Sequence, residues 1–192
     1  ADNVTLATMT SSDNITWTGI FTPTNNTEED NNTLSLTANS YTDIVGNTGP
    51  ARQTANYVVD TRAPTVSSIV ISSATGIQNN LLNAGDNVSV TSTFSENVLV
   101  TNTPQLTLVV GEDNRTATYT SGDNSTTLVF QYTIQPLETD TGGISIRANA
   151  LALNSGTIRD AAGNYATNLN HIAVSDNADY MVDTTPPSVN SV

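Results

Sequence analysis

The chain repeats itself, and the order of that repeat limits its fold more than any single motif does. "TSSDN" at 10–14 returns as "TSGDN" at 120–124, and "LSLTAN" at 34–39 returns as "ISIRAN" at 144–149. "TDIVGN" at 42–47 answers "RDAAGN" at 159–164, and "ANYVVDTRAPTV" at 55–66 answers "ADYMVDTTPPSV" at 178–189. Between these anchors Ile15, Trp17 and Phe21 stand where Leu128, Phe130 and Ile134 stand in the second copy. A full module is therefore expected over 65–183. Residues 1–60 match only the C-terminal half of such a module, 61–64 form a linker, and 184–192 read as a linker with the first strand of a following module. Half a module leaves one face of its sheet bare, too little buried apolar area to offset chain entropy. The strands that complete it are expected from elsewhere, and exchange with another copy through "PSVNSV" is one open route.

Within each copy the period is that of strands. "NVSVTSTF" puts Val88, Val90 and Phe94 on one side and Thr91 and Thr93 on the other. "QLTLVV", "TLVFQYTI" and "GISIRA" alternate in the same way, and clusters rich in Asn, Asp, Gly and Ser such as "GEDN", "SGDN" and "DAAGN" separate them. Short strands at regular spacing with turns between them predict an all-β chain of Ig-like antiparallel β-sandwich modules in tandem. The expected strands are A at 65–73, B at 87–95, C at 105–111, D at 115–120, E at 126–134, F at 143–154 and G at 172–182. Trp17, aligned with Phe130, is expected to point into the core.

Composition narrows the function. There is no cysteine, hence no disulfide and no thiolate metal site. Lysine is absent as well, so the five cationic side chains are all Arg and the formal charge is −13. Such a surface repels nucleic acid and anionic membranes, and its acids point toward metal cations instead. No run approaches the roughly 18 apolar residues that a membrane-spanning helix requires, so no membrane contact is expected of this segment.

Taken as a set, "VDTRAPTV", "FSENV", "RDAAGN" and "ADYMVDTTPPSV" resemble the bacterial immunoglobulin-like (Big-type) tandem repeats of giant Gram-negative RTX and biofilm-associated adhesins. The resemblance covers nearly the whole chain. It implies an extender repeat on the bacterial cell surface: an extracellular, calcium-rigidified spacer whose partners are the neighbouring repeats and which projects a distal binding domain. The "GGxGxD" nonapeptide of RTX solenoids is absent.

An immunoglobulin-like walk then says which acids converge. The loop after strand B carries Glu96 and the loop after F carries Asp160, both at the pole entered by the linker acid Asp60. The E-to-F loop of the first module, "TNNTEEDNNT", faces the same junction and offers Glu28, Glu29 or Asp30, of which Glu29 is taken as the ligand. A second, equivalent set would use Asp183 with Glu138 and Asp140 from "PLETDTGG". Ca2+ takes six to eight hard oxygens from carboxylates, Asn side chains and carbonyls, which these loops supply. The same acids also have local uses: Asp in "DxxGN" is a good turn residue, Asp60 can bracket the turn before Thr61, and Glu96 or the 28–30 run can be solvated.

Catalysis has few candidates. The single His171 lies in "NLNHIAVS", read as a loop histidine, and no nucleophile motif of the GxSxG kind is present. Glu96 and Glu138 would make a glycosidase pair only if about 5 to 9.5 Å apart, and the walk puts them at opposite poles. No enzymatic activity is expected. A carbohydrate- or cell-surface-binding adhesive module stands as the alternative to the spacer.

Overall fold

The computed structural model describes residues 3–189, and the chain divides into two compact units, Ala1–Arg62 and Ala63–Val192. Among the described residues there is no helix, so none long and apolar enough to cross a membrane. The first unit holds six short strands: β1 Val4–Leu6, β2 Phe21–Pro23, β3 Glu28–Asn32, β4 Ser35–Leu36, β5 Arg52–Gln53 and β6 Tyr57–Asp60. They pair antiparallel as β1–β2, β3–β6 and β4–β5. Among its described residues only Val59 and Asn32 are buried. Asn32 is held by its side-chain amide on the Glu29 and Tyr57 carbonyls and by the Asn56 side chain on its own N–H.

The second unit holds ten strands: β7 Val66–Thr75, β8 Leu81–Leu82, β9 Asn87–Thr101, β10 Gln105–Val110, β11 Asp113–Ser121, β12 Ser125–Thr133, β13 Thr139–Asp140, β14 Leu151–Ala152, β15 Thr157–Arg159 and β16 Met181–Asp183. The large sheet runs β14-β10-β11-β12-β9-β15, with β7 also on β9, and a smaller one runs β13-β16-β8. Alternation places Val88, Val90, Phe94, Leu106, Leu108, Leu128, Phe130 and Ile134 on the inner face. Leu82, Ile144, Ile146 and Val182 join the same core. Burying side chains of this size stabilises by about 1.5–3 kcal/mol each, so these two faces hold the unit together. This is an all-β sandwich.

Several sequence expectations need correcting. Strand B does not stop at 95: β9 continues to Thr101, pairing with β7 over its first half and with β15 over its end. Glu96 therefore sits in a strand, not in a loop. Strand F over 143–154 is reduced to β14 and two bridges, Val109–Ser145 and Ile146–Val174. Positive φ at Gly143, Asn149, Asn154 and Ser155 breaks a continuous ladder there. Strand G at 172–182 likewise shortens to β16, because a turn closed by the Tyr180 N–H on the Asn177 carbonyl interrupts it. The "EED" run is not a loop either, since Glu28–Asn32 forms β3 against β6. Trp17 does not point into a core. It is 54 % exposed, because the described residues of its unit include no second layer to cover it. Thr184–Val189 carry no strand, and the rest of the expected following strand, 190–192, lies outside the described residues.

Candidate metal centre

The second unit brings two of the expected acids together. Asp160 directly follows β15 and turns the chain through Gly163, whose φ of +103° few other residues adopt. Its Oδ1 accepts the N–H groups of Gly163 (2.7 Å) and Asn164 (2.8 Å), and Oδ2 accepts the Asn164 side-chain amide at 2.8 Å. Only 1 % of the residue is exposed. Glu96 is half-buried on β9, two residues past the core anchor Phe94. Pairing of Arg159 with Leu99 lays β15 beside this part of β9. Carboxylate oxygens of Glu96 and Asp160 consequently lie within 4.8 Å of one another.

That spacing suits an ion. Two oxygens on opposite sides of a Ca2+ stand about 4.6 to 5.2 Å apart, twice the usual bond length. Without a cation the two charges repel in a site shielded from water on the Asp160 side, where screening is weak. The start of the unit is tied to the same place. The Ser95 N–H donates to the Thr65 carbonyl (2.9 Å), and the Thr65 N–H donates to Ser95 Oγ at 3.0 Å, with Pro64 buried just ahead.

The other expected ligands lie as follows. Asp60 ends β6 of the first unit, half-buried, with its Oδ1 accepting the Arg62 N–H at 3.1 Å. Its strand neighbour Glu28 pairs with Arg62 at 3.4 Å. Glu29 is exposed on β3, opposite Val59. Asp183 ends β16, exposed, with Oδ1 on the Thr185 N–H at 2.9 Å, the same turn that Asp60 makes two residues before Arg62.

Glu138 and Asp140 are nearly buried and densely bonded. Glu138 accepts from Arg115 Nε, from the Tyr132 hydroxyl at 2.5 Å and from the Gln135 N–H at 2.8 Å. Burial and this carboxylate push the Tyr132 phenol well above its ordinary range, while Glu138 raises Arg115 further still. Asp140 accepts the N–H groups of Gly111 (2.8 Å), Gly142 (3.1 Å) and Gly143 (2.9 Å). Both side chains thus have work inside the fold: the first balances Arg115, the second closes the β10–β11 turn onto β13. Little along the chain announces the Arg115–Glu138–Tyr132 triad. An Arg in mid-strand, in a chain with so few cations, was the one available hint.

The "DxxGN" geometry is duplicated in the first unit. Asp43 Oδ1 accepts the Val45 (3.0 Å) and Asn47 (2.9 Å) N–H groups, and Oδ2 accepts the Asn47 side chain at 2.8 Å. These bonds hold its carboxyl below the usual range, the Asn47 side chain contributing most. His171 is tied to backbone: Nε2 accepts the Ala150 N–H and Nδ1 faces the Ile172 carbonyl, both at 2.8 Å.

Set beside known proteins, residues 1–59 match the family model of a bacterial Ig-like domain. That match and the all-strand sandwich together support a bacterial Ig-like domain. No curated protein and no solved structure matches the chain.

Proposed function

We propose that this chain is an extender repeat of a secreted bacterial surface adhesin, stiffened by Ca2+ and working outside the cell as a spacer. The observation that carries the reading is the pairing of Glu96 with the buried Asp160 within 4.8 Å, beside the point where β7 leaves the linker. Asp60 is the third acid we assign to this ion. Thr65 comes five positions further along, a span of at most about 18 Å when fully extended, and it is bonded to Ser95, the neighbour of Glu96. Pro64 holds that linker extended and short of slack. An ion shared between the linker acid and the β9–β15 pair would convert mutual repulsion into a clamp on the joint, which is what a spacer requires. Asp183 makes the same turn at the other end of the second unit, as the corresponding acid of the next joint.

The test is calorimetry and small-angle scattering in Ca2+ and in chelator, on the chain and on Asp160→Asn. Calcium is expected to raise the melting temperature and lengthen the particle in the parent, and to do neither in the variant. Identical melting and scattering of the parent in both conditions would refute the reading.

A further inference from the structure

The first unit carries an apolar groove of about 640 Å³. Leu6, Met9, Trp17, Phe21, Leu34 and Leu36 line it. Trp17 is 54 % exposed and Leu36 44 %, in a unit whose described residues bury little else. Exposure of this much contiguous apolar surface marks a face built to be covered.

The second unit shows what covers it. By the internal repeat, Trp17, Phe21, Leu34 and Leu36 correspond to Phe130, Ile134, Ile144 and Ile146. Those four are at most 1 % exposed, and they share a core with Val88, Val90, Phe94, Leu106 and Leu108 of β9 and β10. The equivalence is structural as well as sequential. The Asp43–Asn47 and Asp160–Asn164 loops make the same bonds. The β3–β6 and β13–β16 ladders both end on the linker acid, and Val59 is buried like Val182.

We propose that the groove of the first unit seats a β-segment with the inward apolar pattern of residues 66–110, joined in cis directly ahead of β1. The connection follows from the second unit, where β10 passes into β11 through Gly111 and Glu112. There "EDN" at 112–114 stands where "ADN" stands at 1–3. The segment adds a second layer to the three ribbons, as one sheet of a sandwich covers another. It needs no metal, so it is independent of the calcium reading.

The single Trp17 reports on the groove directly. The experiment compares the 192-residue chain with one in which a copy of residues 63–111 is fused before Ala1. A control fusion carries Val88→Asp and Val90→Asp in the appended copy alone. In the parent chain, Trp17 emission is expected to be that of a solvated indole, strongly quenched by acrylamide, with an apolar dye bound. In the fusion the emission moves to shorter wavelength, quenching falls several-fold and the dye is displaced, whereas the control fusion behaves like the parent. A fusion that leaves Trp17 as quenchable as before overturns the proposal. If the fusion precipitates, the parent still decides. Trp17 shielded in a concentration-dependent dimer gives the face to a second copy, and Trp17 shielded in the monomer leaves no face to cover; either result overturns it.

Discussion

Replacing Glu96 by Gln should change the sign of its effect with calcium, an outcome that a merely structural glutamate would not produce. In chelator, wild type holds two carboxylates within 4.8 Å. Two unit charges at that distance repel by about 3.5 kcal/mol at an effective dielectric of 20 and by about 0.9 kcal/mol in bulk water. Glu96 is half-buried and Asp160 fully so. A gain of about 1–2 kcal/mol on neutralising one of them follows. For a unit of this size, each kcal/mol moves the melting temperature by about 3–6 °C, so the variant should melt several degrees above wild type without calcium. At a free Ca2+ concentration of about 100 times its dissociation constant, wild type gains about 2.7 kcal/mol from mass action, which the variant forfeits. The order of stabilities therefore reverses. Scanning calorimetry of both proteins, in chelator and across a calcium titration, reads this directly. A variant that melts lower in chelator, or that keeps the full calcium increment, refutes the argument.

Three further outcomes are expected. Glu138→Ala removes the buried acceptor of the Tyr132 hydroxyl and one of the two carboxylates on Arg115, which keeps Asp113, so denaturant unfolding should show a loss of about 1–3 kcal/mol, equal with and without calcium. Phe130→Ala should cost about 3–5 kcal/mol, and Trp17→Ala close to nothing in the 192-residue chain, because the first side chain is fully buried and its repeat counterpart is not. Asp13 should titrate at about 2 against the usual 3.8, chiefly through the Thr16 and Ile15 N–H groups that its carboxylate accepts. Because the folded value is depressed, its contribution to the β1–β2 hairpin is complete above the usual value and fades as pH falls toward 2. Carboxyl carbon shifts followed by NMR would show this.

Much of the candidate site was legible along the chain. Asp160 stood out because "RDAAGN" needs an acid to accept N–H groups and a glycine to take positive φ, which is how the loop is built. Glu96, expected in a loop after strand B, is a strand residue that lies beside Asp160 through β15, whose pairing with β9 no local signal announces. Glu138 and Asp140 are expected from the sequence beside Asp183 in a second set of cation ligands. They proved nearly buried, one against Arg115 and one on three backbone amides, partners that come from strands far away in sequence.

By itself the sequence determined that strands β7, β9, β10, β11 and β12 exist and that the chain contains a repeat. Period-two alternation is a local property, enforced by the geometry of one extended strand, and a repeated order of turns and apolar positions can be read without knowing any contact. Only the tertiary structure decided where β9 ends, that strands F and G break into bridges, and which carboxylates are already engaged. Those outcomes depend on long-range pairing and on the competition between backbone amides, Arg115 and water for each oxygen. The exposure of Trp17 belongs with them, because a side chain has an inside only once a second layer lies over it.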